Sequence, residues 1–132
     1  MGDPSTNGSG NVTIAIARDP ALVRTVRLVA AAVARRADCP DTLVEEIRLA
    51  VGEACAVMIG VNQPTTTSAE QVEVQIRAST PFAVTVTGRV EAEEPGFEDI
   101  GLDPWALLRG ISEDLTVTEE QGTTTLEMSW GR

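Results

Sequence analysis

The residues of this chain that could do chemistry are few, and their types narrow what that chemistry is. The 132-residue sequence has no histidine and no tyrosine, and each of its ten basic residues is an arginine. A histidine base, a histidine metal ligand, a Schiff-base lysine and a phosphate-loop lysine are excluded together. Carboxylates, hydroxyls, arginine forks and two thiols remain. Glu53 is a carboxylate in the middle of the run Val44–Gly60. Arg24, Arg27, Arg35 and Arg36 place four cations on or just after the first helix that the pattern predicts. Their plain alternatives are a solvated helix carboxylate and the wetted face of an amphipathic helix. Cys55 reads as a small buried core residue. Cys39 falls at a loop–helix junction, where exposure would allow a redox role.

These side chains need elements to hold them, and the periodicity supplies a continuous set. Asn11–Ala17 alternates with period two and predicts a first strand. Asp19-Pro20 offers an N-cap and a first-turn proline, after which Leu22, Val26, Val29, Ala30 and Val33 recur at helical spacing to about Ala37. Pro40 restarts helix, with Val44, Ile47, Val51, Ala54 and Met58 as an apolar stripe ending near Gly60. A polar loop over 62–69 leads to two alternating strands, Gln71–Arg77 and Phe82–Gly88, with Ser79-Thr80-Pro81 as their turn. After an acidic connection from Arg89 to Leu102, Asp103-Pro104 caps a short helix carrying Trp105, Leu107, Leu108 and Ile111. Two further strands, Leu115–Glu119 and Thr123–Trp130, are joined through Glu120-Gln121-Gly122. The fold class is α/β (α+β): a two-layer sandwich with its helices on one face of a mixed sheet.

Composition excludes several function classes. The net charge of −10 opposes contact with a phosphate backbone, so direct nucleic-acid binding is not expected. No run of about 18 apolar residues is present to span a membrane, and the start lacks a basic-plus-apolar signal pattern. Two cysteines without a pairing pattern fit a reduced, cytoplasmic setting. Residues 1–10 read as a flexible tail and 11–132 as one domain.

The sequence Glu53-Ala54-Cys55-Ala56 resembles a helix motif of the GHKL-type ATPases, and especially of anti-sigma factors of the serine-kinase type. That motif runs Glu-Ala-Cys/Val-x-Asn, with a polar residue one turn later. Here Val57 stands in place of the Asn and Val61 in place of the later polar residue. The ending Gln121-Gly122-Thr123-Thr124-Thr125-Leu126 is similar to the strand that closes such domains, and the likeness runs from Val12 to Trp130. The resemblance implies an ATPase-like α/β sandwich. It implies Glu53 as base toward a phosphorylated serine, and magnesium held by the residue four places on, which shares its helix face. Val57 has no oxygen for a hard cation. The family's adenine-reading Asp-x-Gly-x-Gly is missing after Val84-Thr85-Val86-Thr87, and its glycine-rich lid is reduced to Gly101-Leu102-Asp103-Pro104-Trp105. Neither ATP nor magnesium is therefore expected as a cofactor, no residue is assigned to bind either, and Glu53 remains only a candidate base.

What the resemblance leaves is binding. Arg27 aligns with an arginine by which such anti-sigma factors grip a sigma factor and its competing anti-anti-sigma protein of the STAS type, a task suited to a planar bidentate donor. Arg24, Arg35 and Arg36 accompany it as partner-binding candidates. The expected function is sequestration of a sigma factor, with relief by a STAS partner or another signal. A homodimer using the first helix and first strand is implied as well. The stretch Glu91–Glu120 carries ten acids against Arg109 alone, and could attract a basic sigma-factor segment or serve only solubility. The other readings are an active serine-protein kinase and a non-enzymatic adaptor domain that reuses the scaffold.

Overall fold

A computed structural model describes residues 11–59, 71–79, 81–89 and 105–131. The expected tail, the polar loop over 62–69, the acidic connection beyond Arg89, the Asp103-Pro104 cap and the position of Val61 lie outside the described residues.

Strand β1 spans Val12–Ile16, helix α1 Val23–Arg36, helix α2 Asp41–Ile59, strands β2 and β3 Val72–Arg77 and Phe82–Arg89, helix α3 Ala106–Ile111, and strands β4 and β5 Asp114–Glu120 and Thr123–Trp130. The Asp19-Pro20 start signal acts through a 3-10 turn, not directly on α1. The Asp19 carboxylate accepts from the Ala21 amide at 3.0 Å, Pro20 opens the turn Pro20–Leu22, and α-geometry begins at Val23. At the other end Asp38 takes a left-handed φ of 63°, and the Cys39 amide donates back to the Ala34 carbonyl at 3.1 Å. This wrapped C-cap usually recruits glycine, though aspartate tolerates the conformation better than most residues. The chain then turns at once into α2, where the Val44 amide donates to the Pro40 carbonyl.

The five strands lie in the order β1-β2-β3-β5-β4, and every neighbouring pair is antiparallel. The layer arrangement matches the sequence reading, whereas the sheet is antiparallel and not mixed. The cause is parity. Among the described residues two helices, not one, lie between β1 and β2, so the chain goes out and back before re-entering the sheet and β2 runs against β1; a single crossover helix would have made them parallel. Strands β3 and β4 both run against β5, which lies between them, so they point the same way.

One sheet face carries the apolar set: Val72, Val74 and Ile76 of β2 are buried while Glu73, Gln75 and Arg77 are exposed. The cross-strand register extends that face through Val84, Val86, Leu126 and Met128, all fully buried. Helices α1 and α2 cover it and pack on each other. The α2 stripe Val44, Ile47, Val51, Ala54 and Met58 is buried as its spacing requires; on α1, Val26, Ala30 and Val33 are buried and Val29 is half-buried, as is Leu22 in the 3-10 turn before it. On the outer face of the sheet, Arg77 of β2 reaches over β3 to Glu127 of β5 at 2.8 Å and shelters Ala83 beneath. The β4–β5 hairpin closes in two residues, Gln121 and Gly122, with φ of 54° and 82°. Both angles belong to the type I′ turn that suits strand twist. Trp130 is buried and its indole N–H donates to the Ile111 carbonyl at 3.2 Å, which pins α3 to the end of β5. Among the described residues no helix is long and apolar enough to cross a membrane.

Cys55 lies wholly inside this core, and burial pushes its thiol from the ordinary 9.0 up to about 12. The unfolded chain releases this proton above 9.0 while the fold retains it. The stabilising contribution is therefore whole below that value and is lost as pH climbs toward 12. Urea unfolding at about pH 8 and about pH 10.5 is expected to show a smaller loss of stability for Cys55→Ala than for the parent chain. An equal loss in both would place the titrating group elsewhere.

Candidate functional site

Where α1 and α2 run side by side, their outward edges form a shallow groove. Pro20, Val23, Arg24 and Arg27 line one wall, and Leu49, Gly52, Glu53 and Ala56 line the other. Gly52 is the notable member of the wall, because glycine in a helix interior costs about 1 kcal/mol relative to alanine. A Cβ built there would stand 2.7 Å from Arg27 Cδ and 3.2 Å from its Cγ. The aliphatic stem of Arg27 thus lies across the helix at the one place where no side chain stands, which fixes the course of the stem toward α2.

Of the residues that the sequence singles out, the structure brings Arg24, Arg27 and Glu53 together on this groove. It leaves Arg35 and Arg36 apart: they are exposed in the last turn of α1, where cations interact favourably with the helix dipole. Arg24 and Arg27 are exposed and make no hydrogen bond or ion pair among the described residues. Glu45 and Arg48 form an ion pair at 3.1 Å near the groove's second stretch, which Arg24, Arg27, Leu28 and Arg48 line. Glu53 and Val57 are both half-buried at i and i+4, so the face that holds the carboxylate continues with an isopropyl group. At the end of β3 the last helix-facing position is Gly88. Its missing Cβ would lie 3.4 Å from Val72 Cγ2 and 3.5 Å from Met58 Sδ, so apolar atoms cover the strand end. Among the described residues there is no cluster of three or more histidine, cysteine or acidic side chains able to hold a metal ion. Trp105 is half-buried against the core, in keeping with its apolar helix position.

Residues 16–130 match a family described as the histidine kinase-like ATPase domain. The chain belongs to that family. No curated protein matches the sequence. Among solved structures, this ATPase-like domain is similar to the crystal structure of the RsbU and RsbW domains of Rv1364c from Mycobacterium tuberculosis, with a TM-score of 0.73 at 13% sequence identity. That match covers 92% of this chain and 32% of the other, so the ATPase-like domain spans about a third of the protein it resembles. At this identity the likeness concerns the fold.

Two features of the site escape a reading of the sequence. Gly52 carries a faint signal, a lone glycine inside a strongly helical pattern, which marks close approach by another group. Arg18 carries none. It stands two residues beyond β1, and its guanidinium donates to the Met58 carbonyl at 2.8 Å and also to the Arg89 carbonyl. Helix α2 has no basic residue of its own in its last turn, so a cation from the end of β1 satisfies one of its terminal carbonyls and ties it to the end of β3. Arg18→Met is expected to remove about 2 kcal/mol of stability in chemical denaturation, with hydrogen exchange accelerating first in the last turn of α2. Uniform acceleration along α2 would show that the clamp is not local.

Proposed function

We propose that this ATPase-like domain is an anti-sigma factor that sequesters an alternative sigma factor through the outward face of α1, with Arg27 as the principal contact. Release comes from a STAS-type anti-anti-sigma protein or another signal. The observation that carries this reading is the state of Arg27: exposed, without an internal partner among the described residues, and with its stem seated in the gap left by Gly52. A guanidinium held in this way has already given up part of its conformational freedom, which favours capture of a carboxylate on another protein. The structural likeness to a protein with an RsbW domain supports the same direction.

We further infer that the domain binds partners and does not transfer phosphate. Phosphoryl transfer depends on a metal that neutralises the phosphates. The face shared by Glu53 and Val57 offers one carboxylate and one hydrocarbon, and Met58 with Val72 covers the strand end at Gly88. These residues do not fit magnesium-ATP in the manner that the family resemblance implies. Glu53 then serves as a wall of the groove, not as a base. A homodimer through α1 and β1 is compatible with this reading, and the cytoplasm is the setting in which it would act.

Purified chain mixed with each sigma factor of its source is expected to retain one of them. Arg27→Ala should weaken that complex by about 2 kcal/mol, the scale of a charged hot spot, with an unchanged unfolding midpoint because the residue is exposed. Titration calorimetry with magnesium-ATP is expected to give no heat of binding. Micromolar affinity together with serine phosphorylation of a STAS protein would replace this reading with that of an active kinase. Unaltered sigma capture by Arg27→Ala would reduce Arg27 to an ordinary surface charge.

A further inference from the structure

Among the described residues two large apolar side chains on the long helices α1 and α2 remain in water: Leu28 at 56% and Leu49 at 52% relative exposure. They stand beside the same groove, Leu49 in its α2 wall and Leu28 in its continuation past Arg24 and Arg48. Leu49, Gly52, Glu53 and Ala56 repeat at helical steps of three, one and three, so that wall is straight and about 10 Å long, two turns of helix. A straight furrow between two helices, with leucines beside it, has the form that a third helix fills by laying a ridge of side chains into it.

We propose that this groove seats one amphipathic helix of a protein partner, apolar along its contact stripe and acidic on its flank. The inference rests on the reading of the chain as a partner-binding domain and names the segment that it recognises. The charges select the occupant. Arg24 and Arg27 have no counter-ion among the described residues, while the chain as a whole carries a net charge of −10. Local cations on an acidic protein draw carboxylates placed among apolar residues. An extended polyanion would also have to cross Glu45, Glu46 and Glu53 nearby. A flat anionic bilayer meets the same repulsion and cannot enter a furrow. The leucines supply the apolar contact, and Arg27, seated over Gly52, supplies planar donors at the groove's edge.

The test uses the full chain and a fluorescein-labelled synthetic helix about 18 residues long, with leucines at i, i+3, i+4 and i+7 and glutamates on one flank. Anisotropy is expected to show binding that weakens as salt rises. Replacing the peptide's glutamates by glutamines, or using the variant Leu28→Ser/Leu49→Ser, should each cost at least about tenfold in affinity; the leucines are exposed, so the variant's thermal midpoint stays in place. Gly52→Ala should weaken binding by displacing Arg27, and adding Gly52→Ala to Arg27→Ala should cause no further loss. Equal affinity for both peptides, retained binding by the leucine variant, or preference for phosphatidylserine vesicles over the acidic helix overturns the proposal. The same variants in sigma capture separate the two readings. A sigma factor held equally well by the leucine variant sinks the groove and leaves the anti-sigma function. An acidic helix bound in the groove by a chain that retains no sigma factor does the reverse.

Discussion

The sheet of this protein is apolar on one face only, and that face can leave water only beneath the two long helices. Those helices must therefore lie flat on the strands and pack on each other, and their buried sides mix small residues, Ala30, Ala34, Ala50 and Ala54, with larger ones, Val26, Ile47 and Met58. Charge is left to the outer rim, where Arg24, Arg27 and Arg48 stand. The groove with Arg24, Arg27, Leu49 and Glu53 is what two closely apposed helices leave at their outward seam. Packing and recognition thus share one pair of helices: the sides that bury apolar residues on the sheet leave the arginines on the outer side.

The opposite face of the sheet solves a different problem. Thr85, Thr87, Thr116, Thr118 and Thr125 share that side through the cross-strand register, joined by the Arg77–Glu127 bridge. Threonine keeps the branched shape that strands favour while its hydroxyl stays hydrated. The bridge is half-exposed and contributes little to stability. The edge strand β4 carries Asp114, Glu119 and Glu120, charges of the kind that discourage another sheet from adding to it.

Much of this organisation was legible in the sequence. Period-two alternation located all five strands to within about two residues, and the buried α2 stripe stands where steps of three and four place it. Gln121-Gly122 announced its own turn. Strand direction was not legible in the same way: alternation reports which side chain faces the core and says nothing of where the chain re-enters, so the antiparallel sheet follows only once α1 and α2 are counted as a pair. The 3-10 turn at Pro20 was hidden because Asp-Pro suits either helix type. At the site, Glu53, Arg24 and Arg27 were legible by type, whereas the separation of Arg35 and Arg36 from them needed the helix in three dimensions. The contacts of Arg18 join positions 40 and 71 residues distant in the chain, beyond any local pattern.

The contact between Gly52 and the stem of Arg27 also constrains how the chain can diverge. A methyl group at 52 and a long side chain at 27 cannot occupy the same space when a Cβ would sit 2.7 Å from Arg27 Cδ. Descendants that acquire bulk at 52 must swing the stem of residue 27 aside or shorten it. The pair is expected to drift as a unit, so that in a set of homologous chains residue identity at 52 foretells whether a long cation survives one helix away.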